Sequence, residues 1–99
     1  MTVFQTLEQF GLPIAYGLHT EPVAPPYLVL TGQGQEQIRA DNTYYVTRED
    51  YNLEYYFKEK DPDTESSIEA LLLSMGRLYT KSEDIFIEDE DLFCIYYSF

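Results

Sequence analysis

DPDTESSIEALLLSMG, residues 61–76, is the most completely specified segment of the chain, because its letters indicate the start, the apolar face and the end of one helix. Asp61 is predicted to cap the free N–H groups of the first turn, and Pro62 follows at a position where a missing N–H costs nothing. Gly76 suits the left-handed residue that ends many helices. The apolar residues of one predicted face are Ile68, Leu71, Leu72 and Met75. We expect the apolar face of this helix to pack against a sheet.

A short helix is also predicted at residues 2–10. Thr2 and Gln5 match the capping box, in which each side chain accepts a hydrogen bond from the backbone N–H of the other residue. A glycine and a proline then end this helix. The brief apolar run at residues 14–18 is interpreted as a first strand.

Residues 27–31 (YLVLT) are the clearest strand, and we expect it to continue through a polar segment to a turn at Asp41-Asn42. Residues 43–57 are predicted to form a long strand with clean alternation in its second half. The residues predicted to share its apolar face are Tyr51, Leu53, Tyr55 and Phe57. The first half alternates in the other phase, so we expect a β-bulge near residues 48–50.

The end of the chain is predicted to form a hairpin, in which residues 85–87 and 92–99 are joined by the acidic turn at residues 88–91. The element order is then α-β-β-β-α-β-β, which indicates an α+β protein with a mostly antiparallel sheet and one or two helices packed on one face. The length of 99 residues favours a single domain covering residues 1–99.

The charge balance argues against several classes of partner. Eighteen acidic and six basic residues give a net charge of −12, which disfavours specific or general nucleic-acid binding and an anionic membrane surface. No segment approaches the length of an apolar membrane span, and the N-terminus does not resemble a signal peptide, so we expect a soluble protein. The lone Cys94 is expected to be a buried, inert thiol and excludes an internal disulfide.

No residue pattern points to catalysis, a cofactor or a metal ion, and none of these sites is predicted. His19 is the only histidine and lies beside a proline-rich loop, so we expect a loop or surface histidine rather than a catalytic one. The acidic run at residues 83–91 has its carboxylates in consecutive positions and contains no glycine, unlike a calcium-binding loop. It is interpreted as a solvated turn.

Three adjacent tyrosine pairs occur in two of the predicted strands, residues 43–57 and 92–99. Neighbouring strand residues point to opposite faces, so each pair should place one ring in the core and one outside. Outward rings either form cross-strand pairs within one domain or belong to a protein–protein surface, and both interpretations stay open. The interface candidates are Tyr44, Tyr45, Tyr56 and Tyr96.

Two long segments of the chain resemble a known family. YYVTREDYNLEYYFKEKDPDTESSIEALL (residues 44–72) and LYTKSEDIFIEDEDLFCIYYSF (residues 78–99) are similar to small proteins of tailed-phage and prophage morphogenesis cassettes in Gram-positive bacteria. GLPIAY (residues 11–16) and PPYL (residues 25–28) add to the resemblance, whereas the polar, glycine-containing residues 32–37 depart from it. The shared motifs are strand patterns, a helix cap and a hairpin.

The resemblance implies a non-enzymatic virion assembly protein of the tail-terminator or tail-completion type. Such proteins form homo-oligomeric rings, commonly hexamers, at the head–tail junction of the virion, after synthesis in the host cytoplasm. Their implied partners are the tail tube and the head-completion proteins, and DNA passes through the ring lumen. The alternatives are another head–tail connector or minor virion protein, an acidic inhibitor that mimics DNA charge, or a small enzyme with a pocket around His19 or a carboxylate pair with a perturbed pKa.

Overall fold

The computed structural model of the protein describes residues 2–39 and 45–99, and it confirms the α+β class and the predicted order of elements. One short strand that the sequence analysis did not anticipate, β4, is added between the second helix and the final hairpin. The predicted turn at Asp41-Asn42 lies outside the described residues. The elements are α1 (Val3–Glu8), β1 (Ile14–Tyr16), β2 (Tyr27–Arg39), β3 (Tyr45–Phe57), α2 (Pro62–Ser74), β4 (Thr80–Lys81), β5 (Ile85–Ile87) and β6 (Leu92–Ser98).

The strands form one mixed sheet in the order β1-β2-β3-β6-β4, and β5 also pairs with β6. The β1–β2 pair is parallel, whereas β2–β3, β3–β6, β4–β6 and β5–β6 are antiparallel. β5 and β6 form the predicted hairpin, while β4 pairs with the opposite end of β6, at Tyr97 and Ser98. The mostly antiparallel sheet predicted from the sequence is therefore confirmed.

Both helices begin with the caps that the sequence predicted. The Asp61 carboxylate accepts a hydrogen bond from the backbone N–H of Asp63, and Thr2 and Gln5 complete the capping box of α1. Gly76 follows α2 with a φ of +76°, a conformation that glycine adopts without steric strain. Of the predicted apolar face of α2, Ile68 and Leu72 are fully buried, and Leu71 and Met75 are partly buried against the core.

One face of the sheet packs against the two helices and forms the core. Register and alternation place Leu53, Tyr55 and Phe57 of β3 on this face, as predicted. The buried residues of the core cluster are Leu7, Leu28, Leu30, Leu53, Tyr55, Phe57, Ile68, Leu72, Ile95, Tyr97 and Phe99. We call the opposite side of the sheet the helix-free face, and it bears Tyr27, Val29, Glu54, Tyr56, Cys94 and Tyr96.

The β-bulge lies in β2 and not near residues 48–50 of β3, so that prediction was wrong. Gly32 pairs with Tyr51 and Gly34 pairs with Asp50, which leaves one extra residue in β2. The Gly32 N–H donates a hydrogen bond to the Tyr16 hydroxyl at 3.1 Å, and a Cβ at Gly32 would lie 2.8 Å from that oxygen. Glycine therefore permits both the irregular pairing and the close approach of Tyr16.

Beyond this bulge, β2 and β3 continue as a two-stranded ribbon, in which residues 34–39 pair with residues 45–50. Six register pairs at the strand rise give a ribbon roughly 20 Å long. Within residues 2–39 and 45–99, β1 pairs with β2 only up to Leu30, and β6 pairs with β3 only from Asn52 onward. The ribbon thus extends past the rest of the sheet, and the chain is elongated, with extents of 52 × 26 × 26 Å.

A buried glutamate links α2 to the last part of the sheet. The Glu65 side chain is only 4% exposed, and its Oε1 accepts hydrogen bonds from Lys60 at 3.0 Å and from Lys81 at 2.9 Å. Lys60 also donates a hydrogen bond to Asp84, and Lys81 also donates one to Glu69. The Glu69 carboxylate accepts a further hydrogen bond from the Tyr97 hydroxyl. The sequence analysis did not identify this network. Its members come from the β3–α2 loop, α2, β4, the β4–β5 loop and β6.

Stability is expected to fall as the pH rises above about 10, because burial and a hydrogen bond to Glu69 raise the pKa of Tyr97 above its ordinary value. The folded state keeps this proton while the unfolded chain loses it, so the unfolded state binds fewer protons and stability declines with pH. Burial likewise raises the pKa of Tyr55, and hydrogen bonds to Glu65 and Asp84 raise that of Lys60.

Urea unfolding measured at several alkaline pH values tests this expectation. Tyr97→Phe removes one ionising group. The free energy of unfolding of this variant should therefore fall less steeply with pH than that of the wild type, by up to roughly 1.4 kcal/mol per pH unit. Tyr16→Phe, at a tyrosine that is 60% exposed, serves as the control. Identical slopes for the wild type and Tyr97→Phe would contradict the assignment of alkaline instability to the buried hydroxyl.

Candidate functional site

The helix-free face receives the outward members of two tyrosine pairs. Tyr55 is buried in the core, whereas Tyr56 lies on the helix-free face and is half-buried. Tyr97 is fully buried, whereas Tyr96 is 37% exposed on the helix-free face. The prediction that each pair places one ring inside and one outside is confirmed for these two pairs, because strand alternation holds at these positions of β3 and β6.

The other two interface candidates are Tyr45 and Tyr44. The backbone of Tyr45 pairs with Arg39 in the β2–β3 ribbon. Tyr44 lies outside the described residues. The candidates that the fold does bring together are Tyr56 and Tyr96, which occupy adjacent strands, since Tyr56 pairs with Cys94 and Tyr96 pairs with Glu54. Their part in an interface stays a prediction.

A cleft opens on the helix-free face beside these residues, and we call it the tyrosine cleft. Its walls are the loop residues 17–23 on one side and Tyr27, Val29, Glu54, Tyr56 and Glu90 on the other. Its volume is about 510 Å³. The loop reaches this position because β1 ends at Tyr16 and Gly17 turns the chain with a φ of +82°.

His19 lies in the loop, as predicted, and it forms part of the wall of the tyrosine cleft. Its Nε2 atom is 3.0 Å from the Leu28 carbonyl oxygen, a geometry in which Nε2 carries the proton and donates it. The edge of its ring meets Tyr27, with ring centroids 5.2 Å apart. These contacts position the imidazole as a structural part of the wall. The adjacent proline-rich segment predicted that His19 lies in a loop. It did not predict that this loop contacts Tyr27 and Leu28 of β2.

The rings of Tyr27 and Tyr56 stack with their centroids 4.8 Å apart and form the aromatic wall of the cleft. The Tyr56 hydroxyl donates a hydrogen bond to Glu54 Oε1. Burial raises the pKa of Tyr27, and the negative charges of Glu90 and Glu54 raise it further. Burial and the hydrogen bond to Glu54 raise the pKa of Tyr56 in the same direction. Both phenols are therefore neutral at neutral pH, and the charged side chains that line the cleft are glutamates.

Cys94 lies behind the cleft, in the middle of β6, and is fully buried. Burial raises the pKa of its thiol to about 11, and the charge of Glu54 acts in the same direction. A thiol with a raised pKa and no access to solvent is a poor nucleophile. The predicted burial of Cys94 is therefore confirmed.

The acidic turn at residues 88–91 is fully exposed, as predicted for a solvated turn. Lys58 Nζ lies 3.9 Å from Asp91 Oδ2, but both side chains are largely exposed, so this ion pair contributes little to stability. Glu90 is the member of the turn that reaches the tyrosine cleft. Among the described residues, no group of three or more His, Cys, Asp or Glu side chains is arranged to hold a metal ion.

In the part of the chain that the structure describes, no helix is both long enough and apolar enough to cross a membrane. No known protein-family model matches the chain, and comparison with curated proteins finds no significant match. The candidate site therefore stands on its geometry, which is a helix-free sheet face with outward tyrosines, an acidic aromatic cleft and a projecting ribbon.

Proposed function

We propose that this chain is a non-enzymatic virion assembly protein, a ring-forming tail terminator or tail-completion protein at the head–tail junction of a tailed phage or prophage. Its subunits act in the virion after assembly in the host cytoplasm. The proposal starts from the resemblance of residues 44–72 and 78–99 to such proteins. The resemblance also implies an α+β fold, and the observed α+β fold supports the proposal.

The observation that carries the proposal is that one subunit has both the helix-free face and the β2–β3 ribbon, which projects beyond the sheet. An isolated two-stranded ribbon is marginally stable in water, so the β2–β3 ribbon gains most if a neighbouring molecule packs against it. Strand edges that are open in one chain also offer backbone groups to a partner. On the helix-free face, Tyr56 and Tyr96 supply rigid amphipathic rings, which are enriched in interfaces.

Two different surfaces on one subunit suit a ring. When a ribbon of one copy contacts the face of the next copy, the contact is heterologous, and it closes into a ring if the rotation between subunits permits. The net charge of −12 would repel the phosphates of DNA and keep DNA from adhering to the lumen as it passes. The tail tube and head-completion proteins would then dock on the two ends of the ring. If the chain is instead another head–tail connector or a minor virion protein, the same two surfaces would form its contacts.

The alternative of a DNA-mimicking inhibitor receives less support. Such a protein needs carboxylates in a regular exposed array, free to bind a basic partner. Here Glu65 is buried, and Glu69 and Asp84 are bound by Lys81 and Lys60. These acids therefore serve the internal packing of α2 on the sheet.

Self-association of the purified protein tests the assembly proposal, and we expect a concentration-dependent oligomer by light scattering and sedimentation velocity. Tyr96→Ser should weaken the association about tenfold, because a tyrosine in an interface core contributes more than its polar replacement. Leu78→Ser is the matched control, since Leu78 is 87% exposed and lies outside the helix-free face.

One result would contradict the ring itself, and another would contradict the assignment of its interface. A strict monomer at all concentrations that also fails to join purified tail tubes would exclude a ring-forming assembly protein. An oligomer that responds to Leu78→Ser and not to Tyr96→Ser would leave the ring in place but remove the helix-free face from its interface. Circular dichroism of each variant shows that the fold is retained.

A further inference from the structure

The tyrosine cleft combines an aromatic wall with negative charge, and its lining contains no basic side chain other than His19. Three of the residues that line it are glutamates, Glu21, Glu54 and Glu90, and none is lysine or arginine. We infer that the tyrosine cleft binds a cationic side chain of a partner protein, with arginine preferred over lysine. This inference does not depend on ring formation, because a monomer carries the complete cleft.

The stacked pair of Tyr27 and Tyr56 supplies one part of the recognition. A guanidinium group lies well on an aromatic face, where the ring quadrupole attracts the positive charge. The same chain already contains this arrangement on the other side of the sheet. There, the guanidinium carbon of Arg77 lies 5.1 Å from the ring centroid of Tyr51 and 5.8 Å from that of Phe99.

The glutamates supply the second part. Glu54 is held in place because one of its carboxylate oxygens accepts the Tyr56 hydroxyl, and Glu90 approaches the cleft from the β5–β6 turn. Within residues 2–39 and 45–99, the described ion pairs join Lys58, Lys60 and Lys81 to other carboxylates. None of those pairs reaches Glu54 or Glu90, so the negative charge of the cleft is not neutralised from within the described chain.

Shape and charge together favour a side chain from a protein over other ligands. The cleft opens on the same face as Tyr96, so a partner lying on that face can insert a side chain while its backbone stays outside. Arginine fits better than lysine because its planar group stacks on a ring and also forms directed hydrogen bonds to a carboxylate. A nucleic acid is disfavoured because its phosphates would face three carboxylates.

The test is a titration of the isotope-labelled protein with the capped peptide acetyl-Gly-Arg-Gly-amide, followed by two-dimensional amide NMR. We expect saturable shifts confined to the cleft, at Gly17, His19, Val23 and Val29. The lysine peptide should bind more weakly. The citrulline peptide, which keeps the shape but lacks the charge, should give no saturable shifts. Binding of the citrulline peptide at equal strength would overturn the inference, as would shifts scattered over the whole surface.

Variants assign the binding to the cleft residues. Glu54→Gln and Glu90→Gln should each weaken arginine-peptide binding about fivefold or more, because each removes a charged acceptor. Glu8→Gln removes the same charge from the exposed side of α1 and should leave binding unchanged. Glu90 lies in an exposed turn, so its variant tests the cleft even if Glu54→Gln disturbs the sheet. Equal weakening by Glu8→Gln would mean that only net charge matters, which contradicts a specific site.

Light scattering on the same samples separates this inference from the assembly proposal. Arginine-peptide binding to a protein that stays monomeric supports the cleft and counts against the ring. An oligomer that binds no arginine peptide at its cleft supports the ring and overturns the inference about the cleft. If Glu54→Gln lowers self-association but the peptide does not bind, the cleft serves contacts between copies and the proposed partner is wrong.

Discussion

Leu72→Asp is expected to leave the chain unfolded at room temperature. Leu72 is fully buried in the core, where α2 packs on the sheet. The substitution removes a large apolar side chain and places a carboxylate without a partner in an apolar site, so the loss should exceed about 5 kcal/mol. A domain of this length has a total stability of roughly 5–15 kcal/mol, and a loss of that size consumes most of it. Far-UV circular dichroism and urea unfolding measure the effect.

The next residue along the helix gives the matched control. Leu73 is 53% exposed, so Leu73→Asp makes the same chemical change on the solvent side of α2. Its effect should stay within about 0.5 kcal/mol, as for most surface substitutions. A folded Leu72→Asp protein, or a Leu73→Asp protein that unfolds, would show that the other side of α2 is buried.

Glu65→Ala is expected to lower the free energy of unfolding by roughly 3 kcal/mol, because it removes a buried carboxylate that accepts charge-assisted hydrogen bonds from two lysines. Lys60 Nζ lies 2.8 Å from Glu65 Oε2 and Lys81 Nζ lies 2.9 Å from Oε1, so two ammonium groups share this carboxylate. Without Glu65 they repel each other, although Asp84 and Glu69 still bind them. Urea unfolding at neutral pH gives the difference.

The control for this prediction is Glu8→Ala, which removes a carboxylate from the exposed surface of the other helix. It should change stability by less than about 0.5 kcal/mol. A double-mutant cycle with Lys81→Met then isolates the coupling between Glu65 and Lys81. If Glu65→Ala and Glu8→Ala have the same effect, Glu65 is a solvated residue of the first helical turn and not the link between α2 and β4.

The helices were predictable because their signals are local. Asp61, Pro62 and Gly76 act within a few residues of the helix ends, and the spacing of Ile68 and Leu72 records which side of α2 is buried. Strand alternation is local in the same way. It correctly placed Tyr55 and Tyr97 in the core and Tyr56 and Tyr96 outside, because successive side chains of a strand must point to opposite faces.

The sequence analysis failed where two distant segments decide the outcome. The bulge lies in β2, between Gly32 and Gly34, where the Tyr16 hydroxyl contacts Gly32, and no pattern within β3 records this contact. The sequence analysis also did not identify Glu65 as a buried residue. Its burial follows from Lys81, which reaches it from β4, a two-residue strand too short to leave a periodic pattern.

The sequence by itself thus determined the two helices, the inward and outward residues in the second half of β3, the opposite orientations of Tyr96 and Tyr97, the solvated acidic turn and the α+β class. Only the tertiary structure decided that His19, Tyr27, Tyr56 and Glu90 line one cleft, and that a ribbon extends beyond the sheet. The physical reason is that caps and periodicity act within a few residues, whereas a cleft requires strand register and a loop path. Those depend on contacts between segments far apart in the chain.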